Sequence, residues 1–278
     1  MSRKFSATRL IWHDLHNTLK LAAKGYIVPP QHFYLNWQFW SALVAITAVA
    51  LSQLPPVHLW FRPRRVEVEV HSRIRIAHKV GNPNVGMFVS VRNTGGRELR
   101  VRGLNVSLTR DGNFIGIYPA LNYFENPSSQ SPVLFVPFTI KPGETWAHSM
   151  SFLNLFDRAN EKLYRESESK LSADIRGKLA SRPGNDKQAV VADPELVAPF
   201  INLFEQLFIW KPGEYVAELV VDVEPGSATF KQSYRFTLYE SDTTELRDHT
   251  QDYKFGGGLS YNVDKHIGVF VPISRHVG

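Results

Sequence analysis

The sequence contains no cysteine among its 278 residues. This absence excludes a disulfide framework, a thiolate zinc site, an iron–sulfur cluster and a cysteine nucleophile. The sequence also has no Gly-x-Ser-x-Gly elbow, no His-Glu-x-x-His pair, no Walker loop and no dinucleotide fingerprint. His13 and His16 have the spacing of two metal ligands on a helix, but no third ligand accompanies them. The sequence therefore predicts no metal, no cofactor and no catalytic residue.

Charged residues make up 21% of the chain and hydrophobic residues 43%. These ordinary globular values exclude a disordered chain, a collagen-like chain and a polytopic membrane protein. The mean hydropathy of −0.21 leaves room for a single membrane span. The net charge of +6 is distributed unevenly, since residues 1–112 are basic and residues 193–278 are acidic. This polarity is typical of a membrane or nucleic-acid partner at the basic end, or of head-to-tail self-association.

The segment from Trp37 to Leu54 contains no charged residue. As a helix, Phe39 to Leu54 would extend about 24 Å, and continuation to Phe61 reaches the roughly 30 Å of a bilayer's hydrocarbon core. We therefore predict a transmembrane helix over residues 37–61, with a helix buried in the core of the folded domain as the alternative. The predicted membrane anchor consists of bulky apolar residues, with tryptophans near both ends as in the aromatic belts of membrane proteins: Trp37, Trp40, Leu43, Val44, Ile46, Val49, Leu51, Leu54 and Trp60.

Residues 1–36 form a basic segment, in which Ser6 to Lys24 has helical periodicity with an apolar stripe. Such an amphipathic helix lies in the membrane interface and is attracted by anionic lipid. The positive-inside rule gives conflicting results, because Arg62, Arg64 and Arg65 follow the span whereas the short N-terminal tail is itself basic. Since a long folded domain is translocated largely regardless of its charges, we favour a cytoplasmic N-terminus and an extracytoplasmic, periplasmic domain.

Alternating hydrophobicity begins after the span. Val66, Val68 and Val70 alternate with polar residues, which is the period-two signature of a strand with one buried face. Further strands are separated by turn signals such as Asp111-Gly112, and Gly103 interrupts one strand in the manner of a β-bulge. The sequence therefore predicts a mainly β protein, with an antiparallel β-sandwich over residues 62–240.

Residues 153–210 interrupt the strand pattern with helical periodicity. Asp193 and Pro194 are a strong helix start, with aspartate as the N-cap and proline at the first helical position. The helix that follows is apolar around much of its circumference, so it packs onto the sheet, which we favour, or onto a partner subunit through Phe200, Phe204, Leu207 and Phe208. We predict a two-helix insertion over residues 153–210. The C-terminal tail, residues 241–278, is expected either to pair as an extra strand or to stay flexible.

Two stretches carry a fold-level resemblance. Pro212-Gly213-Glu214-Tyr215, together with Ser90 to Gly95, resembles immunoglobulin-like modules, in which a tyrosine begins the sixth strand. The resemblance covers roughly residues 66–240. It implies that Tyr215 is the corner tyrosine and that Ala217 occupies the position often held by cysteine. The chain departs from antibody-type domains in lacking both cysteines and an obvious tryptophan on the third strand.

A basic cluster follows the span. Arg73 and Arg75 share one face of a strand, as do Arg100 and Arg102, and these four residues are the candidate anion-binding set. They could bind nucleic acid or lipid headgroups, and such binding would be salt dependent. We favour the other interpretation, a solvated strand face whose charges protect a sheet edge. Aromatic residues typical of single-strand binding are missing nearby, which disfavours nucleic acid.

These observations predict a single-pass membrane-anchored, non-catalytic interaction protein that acts as an accessory, scaffold or sensor subunit. Its expected partners are membrane lipid and another membrane or envelope protein, or a second copy of the chain. A different hypothesis is a cytoplasm-facing domain that binds an anionic ligand through its arginines. A third is a membrane-tethered hydrolase whose site is built from dispersed residues.

Overall fold

The structure, a computed structural model, describes residues 37–53, 62–126, 128–129, 131–183, 188–261 and 268–276. The chain divides into two compact units, residues 1–57 and residues 58–278. The predicted amphipathic helix in residues 1–36 lies outside the described residues. So do Leu54 and Trp60 of the predicted membrane anchor.

Helix α1, Trp37–Gln53, is 17 residues long and is the described part of the first unit. Residues 37–52 of this helix are all exposed. Its polar side chains satisfy themselves locally, since the hydroxyls of Ser41, Thr47 and Ser52 donate to backbone carbonyls one turn earlier. Among the helices that the structure describes, none combines the length and the apolar character that a membrane span requires.

The second unit is built on antiparallel β structure, which confirms the prediction of a mainly β protein. Its strands are β1 (Val66–Val70), β2 (Arg73–Lys79), β3 (Asn82–Asn93), β4 (Leu99–Arg110), β5 (Asn113–Phe124), β6 (Val133–Leu134), β7 (Phe138–Ile140), β8 (Thr145–Leu153), β9 (Gly213–Glu224), β10 (Phe230–Leu238), β11 (Gly268–Pro272) and β12 (Ser274–His276). The predicted bulge at Gly103 is confirmed by a register shift between β4 and β9 at that residue.

The strands form one continuous sheet in the order β11-β2-β3-β8-β5-β4-β9-β10-β12, with β1 on β3, β6 on β5 and β7 on β4. Strand β5 changes partner along its length, because Phe114–Pro119 pairs with β4 and Ala120–Phe124 pairs with β8. At the other side, only Ile273 separates β11, which pairs with β2, from β12, which pairs with β10. The sheet therefore curls into a nearly closed barrel.

The inner face of the sheet forms the core. Alternate residues are buried along β3, β4 and β9, which is the pattern expected of one buried and one outward face. Aromatic side chains extend this core, and the rings of Tyr215 and Phe236 stack with centroids 5.0 Å apart. Trp210 is fully buried, and its indole N–H donates to the carbonyl of Ala77 over 2.8 Å.

Helices α2 (Arg158–Ala180) and α3 (Pro194–Leu207) lie between β8 and β9, inside the segment predicted to be an insertion. The Asp157 side chain caps α2 by accepting the backbone N–H of Asn160 over 2.8 Å. The proposed partner-binding role for the apolar face of α3 is corrected, because Phe200, Phe204 and Phe208 are buried in the core of the chain itself. Leu207 is half-buried and packs against the same core.

The C-terminal tail is more structured than the sequence indicates. It contains helix α4 (Glu240–Asp248), a 3₁₀ segment over His249–Phe255, and then β11 and β12. Helix α4 is polar and buries only Thr243 and Leu246, so it lacks the apolar stripe by which helices are recognised in a sequence. One alternative weighed for the tail, an extra strand, is present as β11 and β12.

Candidate functional site

A groove of about 520 Å³ lies on the outer face of the sheet. Strand β2 contributes two arginines, β3 a glycine and a phenylalanine, and β8 two serines, whereas the end of β5 and the middle of β11 each contribute a phenylalanine. The lining includes Arg73, Arg75, Gly86, Phe88, Phe124, Ser149, Ser151 and Phe270. These residues come from five strands, so only the folded sheet brings them together.

Strand register places the groove residues in two rows. In the first row, Phe270 is opposite Arg75, Arg75 is opposite Gly86, and Gly86 is opposite Ser151. In the second row, Phe88 is opposite Ser149, and Ser149 is opposite Phe124. Directly opposite side chains in an antiparallel pair are about 4.5–5.5 Å apart at Cβ, so each row is a continuous strip of neighbours. The floor is made of glycine and serine, and the phenylalanines form the walls.

The side chain of Arg75 lies flat on the sheet because both neighbouring strands have a glycine beside it. A Cβ atom at Gly86 would be 3.2 Å from the Cβ of Arg75, and a Cβ atom at Gly268 would be 2.8 Å from its Nε. Larger residues at these positions would push the arginine outward. Burial lowers the pKa of Arg75 from its ordinary value of 12.5, because the charged guanidinium is partly removed from water.

Arg73 is exposed at the mouth of the groove. Its backbone N–H donates to Nδ1 of His71 over 3.1 Å, which fixes the turn that leads into β2. Phe88 and Phe270 are unusually exposed for aromatic residues, at 43% and 65%. No carboxylate is among the residues that line the groove in the described part of the chain. Among the described residues, the groove is thus lined by two arginines and by apolar walls.

The four predicted anion-binding arginines do not form one site. Arg100 and Arg102 lie on β4, which is separated from β2 in the sheet by β3, β8 and β5. Arg102 is paired with Glu224, with Nε 3.2 Å from the carboxylate oxygen. Arg100 is opposite Glu224 in the strand register. The two arginine pairs therefore lie on strands that are not neighbours, which the alternation within each strand could not indicate.

Several groove residues were missed in the sequence. Phe88 occupies an outward position of β3, where a polar residue is the usual choice, and this break in the alternation was a usable signal. Phe270 lies in the C-terminal tail, for which the sequence predicted no site residue. The two serines and the two glycines line the groove only because of how the strands pair. The sequence of a single strand contains no information on that pairing.

A second polar cluster lies at the end of β2, where His78 is completely buried. The backbone N–H of Gly81 donates to its Nδ1, so Nε2 carries the proton and donates to the carbonyl of Leu246 over 2.8 Å. Burial lowers the pKa of His78 to about 4, although the hydrogen bond to Leu246 acts in the opposite direction. His78 is therefore neutral at pH 7, and it ties β2 to α4.

His249 packs beside His78, with ring centroids 5.9 Å apart, and its Nδ1 is 3.6 Å from a carboxylate oxygen of Asp252. Burial is the main cause of a lowered pKa at His249. Within the residues described, no group of three histidine or carboxylate side chains converges as metal ligands. The geometry supports a structural role for this cluster, since its fixed hydrogen bonds join the sheet to the C-terminal segment.

No protein-family model and no curated protein matches this chain. A solved structure, described as the crystal structure of a protein from Archaeoglobus fulgidus, is similar over 64% of this chain and 98% of that chain. The two are 12% identical in sequence, and the TM-score is 0.25. A TM-score of this size supports no conclusion on fold or function.

Proposed function

We propose that this protein is a single-pass membrane-anchored, non-catalytic interaction protein with an immunoglobulin-like domain. It acts by binding another membrane or envelope protein, or a second copy of itself, as an accessory, scaffold or sensor subunit. Residues 37–61 hold the domain at the membrane, and the domain is extracytoplasmic.

The observation that carries this proposal is the exposure of α1. Trp37 is 82% exposed, and Val44, Ile46 and Val49 are each more than 60% exposed. An uncharged helix that leaves such side chains in water is unfavourable, because each fully buried Val, Leu or Ile contributes about 1.5–3 kcal/mol. Insertion into lipid removes this surface from water, and the uncharged segment continues beyond α1 to Phe61.

The immunoglobulin-like assignment is supported by the strand order. In such domains one sheet has the order A-B-E-D and the other contains C-F-G. Strands β2, β3, β8 and the second half of β5 follow the first order, and β4, β9 and β10 follow the second. Tyr215 lies at the start of β9, and its hydroxyl donates to the carbonyl of Lys211 over 2.8 Å, as a corner tyrosine does.

Exposed apolar residues on the domain favour a protein partner. Phe114 and Ile117 of β5 are 65% and 55% exposed, and Leu155, just after β8, is 73% exposed. The side chain of Asn154, next to Leu155, donates to the carbonyl of Ile117 over 2.9 Å, so these residues belong to one region of the sheet. Exposed apolar patches of this kind are common at interaction surfaces.

Membrane fractionation tests the anchor. The double variant Val44→Lys/Ile46→Lys places two charges in α1, each of which costs about 2.5–3.5 kcal/mol at the centre of a membrane helix. We expect the wild-type chain to resist alkaline extraction and the variant to be released. Leu163→Lys in α2 is the matched control, since Leu163 is an exposed leucine of the domain. Equal extraction of all three chains would contradict the proposal.

A second candidate function is recognition of an anionic ligand by the domain. The groove around Arg73 and Arg75 favours it, because both arginines line the same cavity. Arg100 and Arg102, which complete the set predicted from the sequence, are not part of this groove. Nucleic acid is disfavoured, since a phosphate backbone needs an extended basic surface rather than one pair of arginines.

A further inference from the structure

We propose that one end of the sheet domain is an interface for the headgroups of anionic phospholipid, and that it holds the domain against the bilayer. This inference rests on the proposed membrane anchor, and it holds for either orientation of the chain in the membrane. The interface, which we call the basic end, presents five exposed cations from three loops: Arg62, Arg64, Arg65, Arg97 and Lys141.

Two of the three loops are joined by one buried side chain. Asn93, the last residue of β3, is completely buried. Its amide Nδ2 donates to the carbonyls of Arg97 over 2.8 Å and Ile140 over 2.9 Å. Its backbone N–H donates to the carbonyl of Glu144 over 3.0 Å. The loop after β3 and the turn between β7 and β8 are therefore fixed to each other.

The segment that precedes β1 lies against the loop after β3. The carbonyl of Arg65 accepts the backbone N–H of Thr94 over 3.1 Å. A Cβ atom at Gly95 would be 2.8 Å from the carbonyl oxygen of Pro63, so the two backbones are in close contact. The three loops thus form one ordered surface, and a surface that is already ordered loses less entropy when it binds.

Positive charge predominates at the basic end. Besides the five cations, the three loops contain two carboxylates, those of Glu98 and Glu144. None of the five cations makes an ion pair with another described residue. On the adjoining strands, Arg92 is opposite Glu67, so this pair adds no net charge. Each Lys or Arg held near an anionic lipid surface strengthens binding about fivefold.

The opposite end of the domain is acidic. His78 is opposite Pro83 at the start of β3, and it is hydrogen-bonded to the carbonyl of Leu246 in α4. The length of β3, roughly 35 Å at 3.3 Å per residue, therefore separates α4 from the basic end. An anionic surface attracts the basic end and repels the acidic one, so the polarity orients the domain. The exposed carboxylates of α4 and the 3₁₀ segment are those of Glu240, Glu245, Asp248 and Asp252.

Continuity with the proposed anchor favours lipid over nucleic acid. Residues 37–61 contain no Lys, Arg, Asp or Glu, and Arg62 is the next residue. An anchor that ends at residue 61 brings Arg62, Arg64 and Arg65 to the headgroup layer. The charge of that layer acts within a Debye length, about 8 Å at physiological salt, which these arginines reach.

The test measures how close each end of the domain lies to the bilayer, using full chains reconstituted into vesicles. Because the chain lacks cysteine, a donor fluorophore can be placed at the basic end on Thr145→Cys or at the acidic end on Gln251→Cys. The acceptor is attached to the headgroups of a lipid. Energy transfer is compared between vesicles of phosphatidylcholine and vesicles that also contain phosphatidylglycerol.

We expect phosphatidylglycerol to increase energy transfer from position 145 and not from position 251. The increase should disappear at about 1 M salt, where the Debye length is about 3 Å. The dependence of transfer on the phosphatidylglycerol fraction gives an equilibrium constant for contact. An increase from position 251 in place of position 145 would overturn the inference, because the acidic end would then face the lipid.

A charge variant and a matched control locate the interface. Replacement of four cations of the basic end should lower the equilibrium constant for contact at least about tenfold. Replacement of four exposed cations of α2 removes the same charge and should leave the constant unchanged. Equal losses would show that net charge alone matters, which overturns the inference. The two variants are Arg62→Gln/Arg64→Gln/Arg65→Gln/Arg97→Gln and Arg158→Gln/Lys162→Gln/Arg165→Gln/Lys170→Gln.

The outcomes separate this inference from the anchor on which it rests. If alkali releases the chain from phosphatidylcholine vesicles, the anchor is wrong and the inference falls with it. If the chain is retained and phosphatidylglycerol does not change transfer from position 145, the anchor stands and the inference is overturned. If a short DNA duplex binds through the same four arginines and phosphatidylglycerol has no effect, the basic end recognises nucleic acid, which also overturns it.

Discussion

Large apolar side chains are exposed along α1, whereas those in the core of the sheet domain are buried. Val44 and Ile46 are 65% and 67% exposed, whereas Ile76 and Leu219 are completely buried. The residue types in the two regions are the same, so the difference in exposure comes from their surroundings. The sheet domain removes its apolar surface from water by folding, at about 25 cal/mol per Å² buried. For the exposed side chains of α1, lipid is the environment that we propose.

Truncation of one apolar residue in each region gives the largest expected contrast. Phe204 is buried and stacks on Phe208 with ring centroids 4.6 Å apart. We expect Phe204→Ala to lower the free energy of unfolding by about 3–5 kcal/mol, because it leaves a cavity. Ile46→Ala should change it by less than about 0.5 kcal/mol, as for other exposed positions. Denaturant unfolding of the full chain in neutral detergent measures both free-energy changes. Similar losses of stability in the two variants would contradict the expected difference between the two regions.

The buried His78 makes the stability of the sheet domain depend on pH. Its pKa falls from 6.5 to about 4 on folding, so the unfolded chain takes up a proton at higher pH than the folded chain. The stabilisation is complete above pH 6.5 and is lost as the pH falls towards 4, by about 3 kcal/mol. Unfolding measured from pH 7.5 to 4.5 should show this decline.

The variant His78→Gln tests the assignment of that decline. Glutamine does not take up a proton in this range, so the pH dependence should become shallower, although the domain is less stable at pH 7. His249 has a pKa lowered in the same direction and contributes in the same sense. An unchanged slope in His78→Gln would show that other groups cause the acid sensitivity.

The hydroxyl of Tyr215 gives the smallest expected effect. Tyr215→Phe retains the stacked ring and loses the hydrogen bond to the Lys211 carbonyl, so we expect a loss of about 1 kcal/mol. Tyr234→Phe is the matched control, since Tyr234 is also buried but its hydroxyl makes no hydrogen bond within the residues described. If the two variants are equally stable, the corner hydrogen bond does not stabilise this domain.

Local sequence patterns were sufficient to predict the strands but not the candidate functional site. The alternation at Val66, Val68 and Val70 predicted a strand with one buried face, and the phase change at Gly103 predicted the bulge, because both are properties of a single strand. Helix α4 was not predicted because its residues are polar and its contacts are with distant elements.

The groove could not be predicted from the sequence of any single strand. The pairing of Arg75 with Gly86 on one side and Phe270 on the other is set by strand order and register. The same reason explains why Arg100 and Arg102 were grouped with the groove arginines in error. Likewise, the apolar circumference of α3 predicted burial of Phe204 without specifying whether the partner surface was the chain's own core.

The environment of α1 is tested most directly by a spin label, which the absence of cysteine makes simple to place. A label on Val44→Cys in liposomes should be more accessible to oxygen than to a water-soluble nickel chelate, since oxygen concentrates in hydrocarbon. A label on Leu163→Cys, in the sheet domain, should show the opposite preference. If the label at position 44 is relaxed mainly by the nickel chelate, α1 is in water and the membrane anchor is wrong.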